Sequence, residues 1–180
     1  MEKIKLNIDN SEEKSLPSNL EAEQALIGSV LVNNDIIDEI SSIVSSHKFF
    51  DPGHRKIYET IESLNNKGMI ANPITLKNYF ETNSGLAEVG GVDYLVKLTR
   101  FSSSIKQTID YAKIIHEMYV RRELIIISEN VSEESKDNDL KKTGENIIED
   151  AEKSLFDLAE RGHFNPVSYT HLTLPTKRIV

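Results

Sequence analysis

The chain has 180 residues, a formal net charge of -8 and no cysteine. This length suits one ordinary domain with an appended helical arm, and no apolar run is long enough to cross a bilayer. Without cysteine there are no disulfides, thiolate nucleophiles or sulfur-ligated zinc, and the acidity predicts that the segment alone binds DNA poorly. The N-terminal residues do not resemble a secretory signal, so we expect a cytoplasmic protein.

The first helix is predicted to follow a disordered arm. Residues 1–16 are polar, of mixed charge and without sustained periodicity. Ser18 and Glu21 have the spacing of a capping box, which predicts that a helix begins at Ser18. Gly28 lies within this helix and would let a neighbouring helix approach closely. Its apolar stripe is formed by Leu20, Ala22 or Glu23, Ile27, Val30 and Leu31.

Local capping signals divide the next segment into short helices. Asn33 and Asn34 are predicted to end the first helix and cap the second. The apolar side of the second helix consists of Ile36, Ile37, Ile40, Ile43 and Val44. Asp51 and Pro52 predict the start of a third helix that runs to about Asn66, followed by a stop at Lys67 and Gly68.

Four more helices complete the predicted fold. Asn72 and Pro73 open the fourth, residues 83–85 close it, and Gly90 and Gly91 form a bend before the fifth. A long sixth helix is predicted over 105–136 and a seventh over 140–162. The sequence therefore predicts an all-α protein, with a compact helical bundle of about five short helices over 17–101 and a long antiparallel helical hairpin over 102–162.

The hairpin is predicted to mediate self-association. Two helices alone bury little apolar surface, so we expect a second copy to cover part of it. The arginines among the candidates are suited to pairing with a carboxylate of another subunit, although a solvated helix face would explain the same charges. The candidate self-association residues are Ile109, Tyr119, Arg121, Arg122, Ile126, Ile148 and Leu155.

We expect no catalytic, cofactor-binding or metal-binding residue in this chain. It has no Gly-x-x-x-x-Gly-Lys-Ser/Thr sequence, so the phosphate-binding loop of an ATPase is missing. Asp51, His54 and Arg55 lie within one helical turn, but helix capping explains Asp51 better than acid-base catalysis does. A helix-turn-helix DNA reader before Phe50 is disfavoured, because its second helix would be acidic.

The C-terminal tail differs from the rest of the chain. Residues 163–180 contain no acidic side chain and show no useful periodicity. We hypothesise that the residues from about Val167 onward are a non-native read-through, with an ordinary polar linker as the alternative.

Several blocks of the sequence resemble DnaB-type bacterial replicative helicases. The segment Pro17–Gly28 resembles the opening signature of that family, and Phe49–Phe50 with His54, Arg55 and Ile57 resembles its next block. Similar residues continue in order over roughly 16–163. The signature residues are Glu21, Glu23, Gln24, Gly28, Phe50, His54, Arg55, Gly91 and Tyr94.

This resemblance implies an N-terminal scaffold domain that pairs with its copy, helps to build the collar of a hexameric ring and docks primase and, in some lineages, a helicase loader. ATP and Mg²⁺ would belong to the motor domain of the parent helicase, and DNA would be bound only through the full-length ring. Asn72 replaces an aspartate common in the family, which we expect to be harmless because both residues cap helices. The alternative is a standalone acidic adaptor or regulator that binds another protein.

Overall fold

The computed structural model describes residues 16–82, 90–137 and 142–162, and these residues contain helices and no strand. The all-α prediction is confirmed. In chain order the helices are α1 (Leu20–Val32), α2 (Ile36–Ile40), a short 3-10 helix (Ser46–Lys48), α3 (Pro52–Asn66), α4 (Pro73–Thr82), α5 (Gly91–Thr99), α6 (Ile105–Lys136) and α7 (Gly144–Gly162). Among these described helices, none is both long and apolar enough to span a membrane.

Three of the predicted features lie outside the described residues: the N-terminal arm up to residue 15, the stop of α4 at 83–85 and the tail at 163–180. The chain divides into two compact units, with the division between Ile126 and Ile127, and we call the first unit the head. The N-terminal part of α6 thus belongs to the first unit, whereas the domain limits at 101 and 102 remain a prediction.

Two predicted helix starts are confirmed in the first unit. The Asp51 side chain accepts the His54 N–H at 2.9 Å, and Pro52 occupies the first turn of α3. Gly68 has a φ of +69°, the left-handed conformation expected after a helix end. The Asn72 side chain accepts the Ile74 N–H at 2.9 Å at the start of α4.

Two other capping predictions are wrong. Asn19 rather than Ser18 caps α1, because its side chain accepts the Ala22 N–H at 2.9 Å, and Leu20 is exposed rather than part of the core. Asn34 does not cap α2. Its amide donates to the Ala71 carbonyl at 2.8 Å and accepts the Ala71 N–H at 2.6 Å, so it links two distant loops.

The core of the first unit is built around close contact between α1 and α5. Gly28 faces the backbone of α5, and a β-carbon added to it would overlap the Leu98 carbonyl oxygen and lie 3.0 Å from the Leu98 carbonyl carbon. Ser29 extends this contact, since its Oγ accepts the Ser103 N–H at 2.9 Å. The largest fully buried side chains are Leu26, Ile27, Ile40, Phe49, Ile57, Tyr58, Ile61, Leu76, Phe80, Leu95, Leu98 and Ile115.

The second unit pairs the end of α6 with α7. Lys142 Nζ lies 2.8 Å from a Glu134 oxygen on α6 and 2.7 Å from an Asp150 oxygen on α7. A cavity of about 120 Å³ lies between the two helices and is lined by Ile127 and Val131 of α6 and by Ile147, Ala151 and Ser154 of α7.

The Lys142 bridge has a measurable consequence for the pKa of Asp150. The hydrogen bond from Lys142, and then its charge, hold the pKa of the Asp150 carboxyl below its usual 3.8. Replacing Lys142 with alanine is expected to raise that pKa towards 3.8, which an NMR titration of the side-chain carboxyl would measure. The matched control is Lys136→Ala, which removes an exposed cation on α6 and should leave the Asp150 titration in place.

The sign of the effect on stability follows from this lowered pKa. A carboxyl whose pKa is lower in the folded state stabilises that state above pH 3.8, and the contribution is lost as the pH falls through the lowered value. An Asp150 titration that is the same with and without Lys142 would contradict the bridge.

Candidate functional site: the buried polar network of the head

A buried carboxylate lies at the centre of the first unit. Glu23 on α1 is only 1% exposed. Its Oε1 accepts the Phe50 N–H at 2.6 Å, and its Oε2 accepts the Asp51 N–H at 3.3 Å. Burial of a charged group is costly unless its oxygens are hydrogen-bonded, so these amides and the imidazole described next stabilise Glu23 in the core.

His54 continues this network from α3 to α5. Its Nδ1 lies 2.7 Å from Glu23 Oε2, and its Nε2 lies 2.6 Å from the Tyr94 hydroxyl. Because a carboxylate can only accept, Nδ1 of the imidazole carries a proton and donates to Glu23, and the hydroxyl of Tyr94 completes the hydrogen bond at Nε2. Gln24 Nε2 donates to the Tyr94 oxygen at 3.1 Å. This arrangement gives each of these polar atoms a hydrogen-bond partner, and burial raises the pKa of Tyr94.

Arg122 brings α6 to the same region. Its guanidinium donates to the Pro17 carbonyl and to the Lys48 carbonyl, both at 2.7 Å, and lies 5.4 Å from the centre of the Phe50 ring. Burial lowers the pKa of the Arg122 guanidinium. Lys48 in turn donates from Nζ to the Ile43 carbonyl at 2.9 Å. These bonds join the segment before α1, the 3-10 helix and α6.

Arg122 is buried within the first unit, and its predicted role in self-association stays a prediction. Tyr119 is also buried and packs edge-on against the His47 ring, with the ring centres 5.3 Å apart. Both residues lie on the face of α6 that also buries Ile115, because spacings of three and four residues share one helix face. Arg121 is exposed and pairs with Glu117 at 2.8 Å, as a solvated helix face would have it.

The remaining self-association candidates have different exposures. Ile109 is half-buried on α6. Ile126 is exposed at the end of the first unit. On α7, Ile148 is 61% and Leu155 46% exposed, and the neighbouring Phe156, which we did not predict, is 62% exposed.

Most of the signature residues meet in or beside the polar network. Glu23, His54 and Tyr94 form its hydrogen-bonded chain. Gln24 donates to Tyr94, the Phe50 N–H donates to Glu23, and Gly28 faces the backbone of α5. Arg55 donates to the Phe49 carbonyl at 2.9 Å. Glu21 is exposed, and Gly91 begins α5 with a φ of +78°, which favours glycine.

The network is suited to holding helices together rather than to catalysis. A carboxylate, an imidazole and a phenol in sequence can relay a proton, but Glu23 and His54 are buried beyond the reach of a substrate. In the described part of the chain no group of three His, Cys, Asp or Glu side chains is arranged to hold a metal ion. The geometry therefore defines a structural polar core that connects α1, α3, α5 and α6.

Comparison with known proteins identifies the family of the chain. Residues 15–117 match the family described as DnaB-like helicase N-terminal domain, which covers more than half of the chain. The chain is 39% identical over 174 residues to the replicative DNA helicase DnaB of Rickettsia bellii, covering 94% of this chain and 35% of that protein. The chain thus spans about a third of the length of the curated relatives it matches.

Two solved structures share the fold. The N-terminal domain of DnaB helicase from Mycobacterium tuberculosis superposes with a TM-score of 0.70 at 24% identity, covering 79% of this chain and 99% of that one. A DnaB-like replicative helicase whose interactions with primase were described superposes with a TM-score of 0.63 at 24% identity, covering 78% of this chain and 31% of that one. With the family match, the chain belongs to the DnaB-like helicase N-terminal domains.

Proposed function

We propose that this chain is the non-catalytic scaffold domain of a replicative DNA helicase, and that it assembles with copies of itself and docks primase or a helicase loader during DNA replication. Membership of the N-terminal domain family supports the scaffold role. The primase proposal is supported by the similar fold of a helicase whose interactions with primase are described. ATP and Mg²⁺ would act in the motor domain of the parent protein.

The observation that carries the self-association proposal is the exposed apolar surface of α7. Ile148 and Leu155 lie seven residues apart, so they share one face of the helix, as in a coiled-coil seam. Phe156 adds a large exposed ring beside Leu155. Single exposed apolar residues are common, but three large ones within nine residues of one helix are typical of a surface that a partner covers.

The proposed mechanism is geometric. Burial of the α7 surface against a second copy would set the spacing between subunits, and the polar network of the head would keep each subunit rigid. The domain would then position motor domains around DNA without itself binding ATP.

The self-association proposal is tested by two paired substitutions on α7. Ile148→Ser with Leu155→Ser should weaken the association constant by roughly a hundred-fold, since two partly exposed apolar side chains would no longer be buried at the interface. The matched control is Glu149→Ser with Glu152→Ser, which places serine at two other exposed positions of α7 and lowers helix propensity by at least as much. Analytical ultracentrifugation would measure the mass of each variant. If the unaltered chain stays strictly monomeric at high micromolar concentration with intact helicity, this result contradicts the proposal.

A further inference from the structure

A cluster of exposed apolar side chains lies where the end of α1 meets the loop between α3 and α4. We call Val32, Met69, Ile70 and Ile74 the loop patch. Ile70 is 68% and Ile74 71% exposed, which is more than any of the apolar side chains described above for α7. Val32 and Met69 are exposed as well. Apolar side chains scattered singly need no partner, but a cluster of four is typical of a surface that another molecule covers.

Side-chain hydrogen bonds hold the two segments of the loop patch together. Asn34, two residues after Val32, bonds to both the N–H and the carbonyl of Ala71. The Thr75 hydroxyl oxygen lies 2.9 Å from the Ile70 carbonyl oxygen, which joins the start of α4 to the loop before it. The backbone that carries the loop patch is therefore fixed, so little ordering is required when a partner binds.

The charge that follows the loop patch on α2 is negative. Three exposed carboxylates lie at the start of this helix, a few residues after Val32: Asp35, Asp38 and Glu39. None of the three forms an ion pair with another residue that the structure describes. From residue 15 to residue 47 the chain has no lysine or arginine, so the neighbouring sequence does not compensate this charge.

The cations nearest to the loop patch in sequence do not reverse this sign. Lys67 precedes Met69, and its ammonium lies 5.9 Å from the centre of the Tyr79 ring. Lys77 lies 3.7 Å from a Glu81 oxygen on the same helix. The carboxylates of α2 therefore outnumber the cations beside the loop patch, and the surface favours a positively charged partner.

We propose that the loop patch binds an amphipathic helix of another protein whose polar face carries lysine and arginine. The apolar side of such a helix would cover Val32, Ile70 and Ile74, and its cations would meet the carboxylates of α2. Burial of the apolar side chains would supply most of the affinity, and the charges would set the orientation. The inference goes beyond the proposed function, because neither the α7 surface nor family membership assigns this surface or the chemistry of its partner.

Two other occupants fit the loop patch less well. The apolar face of α7 in a second copy is flanked by the exposed carboxylates of Glu149 and Glu152, which those of α2 would repel. An extended peptide that adds a strand requires the edge of a sheet, and the residues described for this chain contain no strand. A basic amphipathic helix meets neither objection.

Fluorescence anisotropy of a labelled peptide with the 180-residue chain tests the proposal. The probe is a peptide of about 18 residues, or five helical turns, with leucine on one face and lysine on the other. A peptide of the same composition in scrambled order measures the non-specific attraction of lysine to an acidic chain. The amphipathic peptide should bind at least about ten-fold more tightly than the scrambled one. Equal affinities for the two peptides would overturn the proposal.

A pair of substitutions in the loop patch tests the apolar contact. Ile70→Ser with Ile74→Ser should weaken binding of the amphipathic peptide by about ten-fold or more, because two apolar side chains would no longer be buried. The matched control is Val96→Ser with Ile105→Ser, which alters two other exposed aliphatic side chains and should change the affinity by less than about two-fold. Circular dichroism would verify the helicity of each variant. If both pairs lose affinity equally, the peptide does not bind at the loop patch and the proposal is wrong.

A triple variant of α2 tests the charge contact. Asp35→Asn, Asp38→Asn and Glu39→Gln together should weaken binding by about five-fold at low salt and reduce its dependence on salt concentration. A control that loses as much affinity would show that only the net charge attracts the peptide, which contradicts the proposed partner. This control removes the same charge from three exposed positions elsewhere in the head: Glu59→Gln, Asp93→Asn and Asp110→Asn.

The α7 variant separates this inference from the proposed self-association. Ile148→Ser with Leu155→Ser should bind the amphipathic peptide as tightly as the unaltered chain does, although its own association is weakened. Loss of peptide binding in this variant would place the peptide on α7 and overturn the inference. An unaltered chain that binds the peptide at the loop patch but stays monomeric would contradict self-association alone.

Discussion

Gly28→Ala is expected to lower the free energy of unfolding of the head by about 3 kcal/mol, because the added methyl group would meet backbone rather than a side chain that can rotate away. The nearest atoms are the carbonyl group of Leu98 and the backbone nitrogen of Ser102. Relief of the overlap requires α1 and α5 to separate, which would loosen the Ser29 contact as well. Urea unfolding followed by circular dichroism would measure the loss.

Gly144→Ala is the matched control for Gly28→Ala. Gly144 begins α7, and a β-carbon there would meet nothing within 4 Å. Alanine favours the helical conformation over glycine, so this variant should be neutral or more stable by about 0.5 kcal/mol. If both variants unfolded at the same urea concentration, the close approach of α1 and α5 would be refuted.

Glu23→Ala is expected to lower the free energy of unfolding of the head by about 3 to 5 kcal/mol. The substitution leaves the Phe50 and Asp51 amides and the Nδ1–H of His54 without their common acceptor, and an unpaired donor in the core is expensive. Because these donors belong to the start of α3, the first turn of that helix should lose protection from hydrogen exchange before the rest of the head. Chemical denaturation with hydrogen exchange would test both expectations.

Two variants control for the loss of charge at Glu23. Glu21→Ala removes an exposed carboxylate two residues away on the same helix, and we expect a change within about 0.5 kcal/mol. Glu23→Gln keeps one acceptor oxygen but brings an NH₂ group towards donors. Its free energy of unfolding should therefore lie between those of Glu21→Ala and Glu23→Ala. A Glu23→Ala variant as stable as Glu21→Ala would show that the buried carboxylate does not stabilise the head.

Helix positions could be predicted from sequence where a local signal fixed them. Asp51 with Pro52 marked the start of α3, and Gly68 marked its end, because a cap depends only on residues within one turn. The prediction that Ser18 caps α1 was wrong because the local signal there was ambiguous. Asn19 is an equally good cap one residue later, and sequence alone does not distinguish adjacent candidates.

The polar network could not be predicted from the same periodic patterns, because its bonds join residues far apart in the chain. His54 and Tyr94 come from different helices, and no spacing rule relates them. A signal for Glu23 was present nevertheless. It lies four residues before Ile27 and seven before Val30, so a charged residue stood on the apolar stripe and required buried partners.

Arg122 carried a similar signal on α6. It lies three residues after Tyr119 and seven after Ile115, both of which are buried. The charged residues beside it in sequence, Arg121 and Glu123, suggested a solvated face, yet neighbours in a helix sequence point about 100° apart. The spacing of Arg122 from Ile115 and Tyr119 therefore predicted its burial better than the charged residues next to it in sequence did.

The bond between Arg122 and the Pro17 carbonyl limits how far this domain can be shortened from its N-terminus. Removal of the residues up to Leu16 leaves that acceptor in place, whereas a fragment that starts at Ser18 would lose it and leave one guanidinium nitrogen of Arg122 without its protein acceptor. Fragments prepared for crystallisation or NMR should therefore retain Pro17, even though it precedes the first helix.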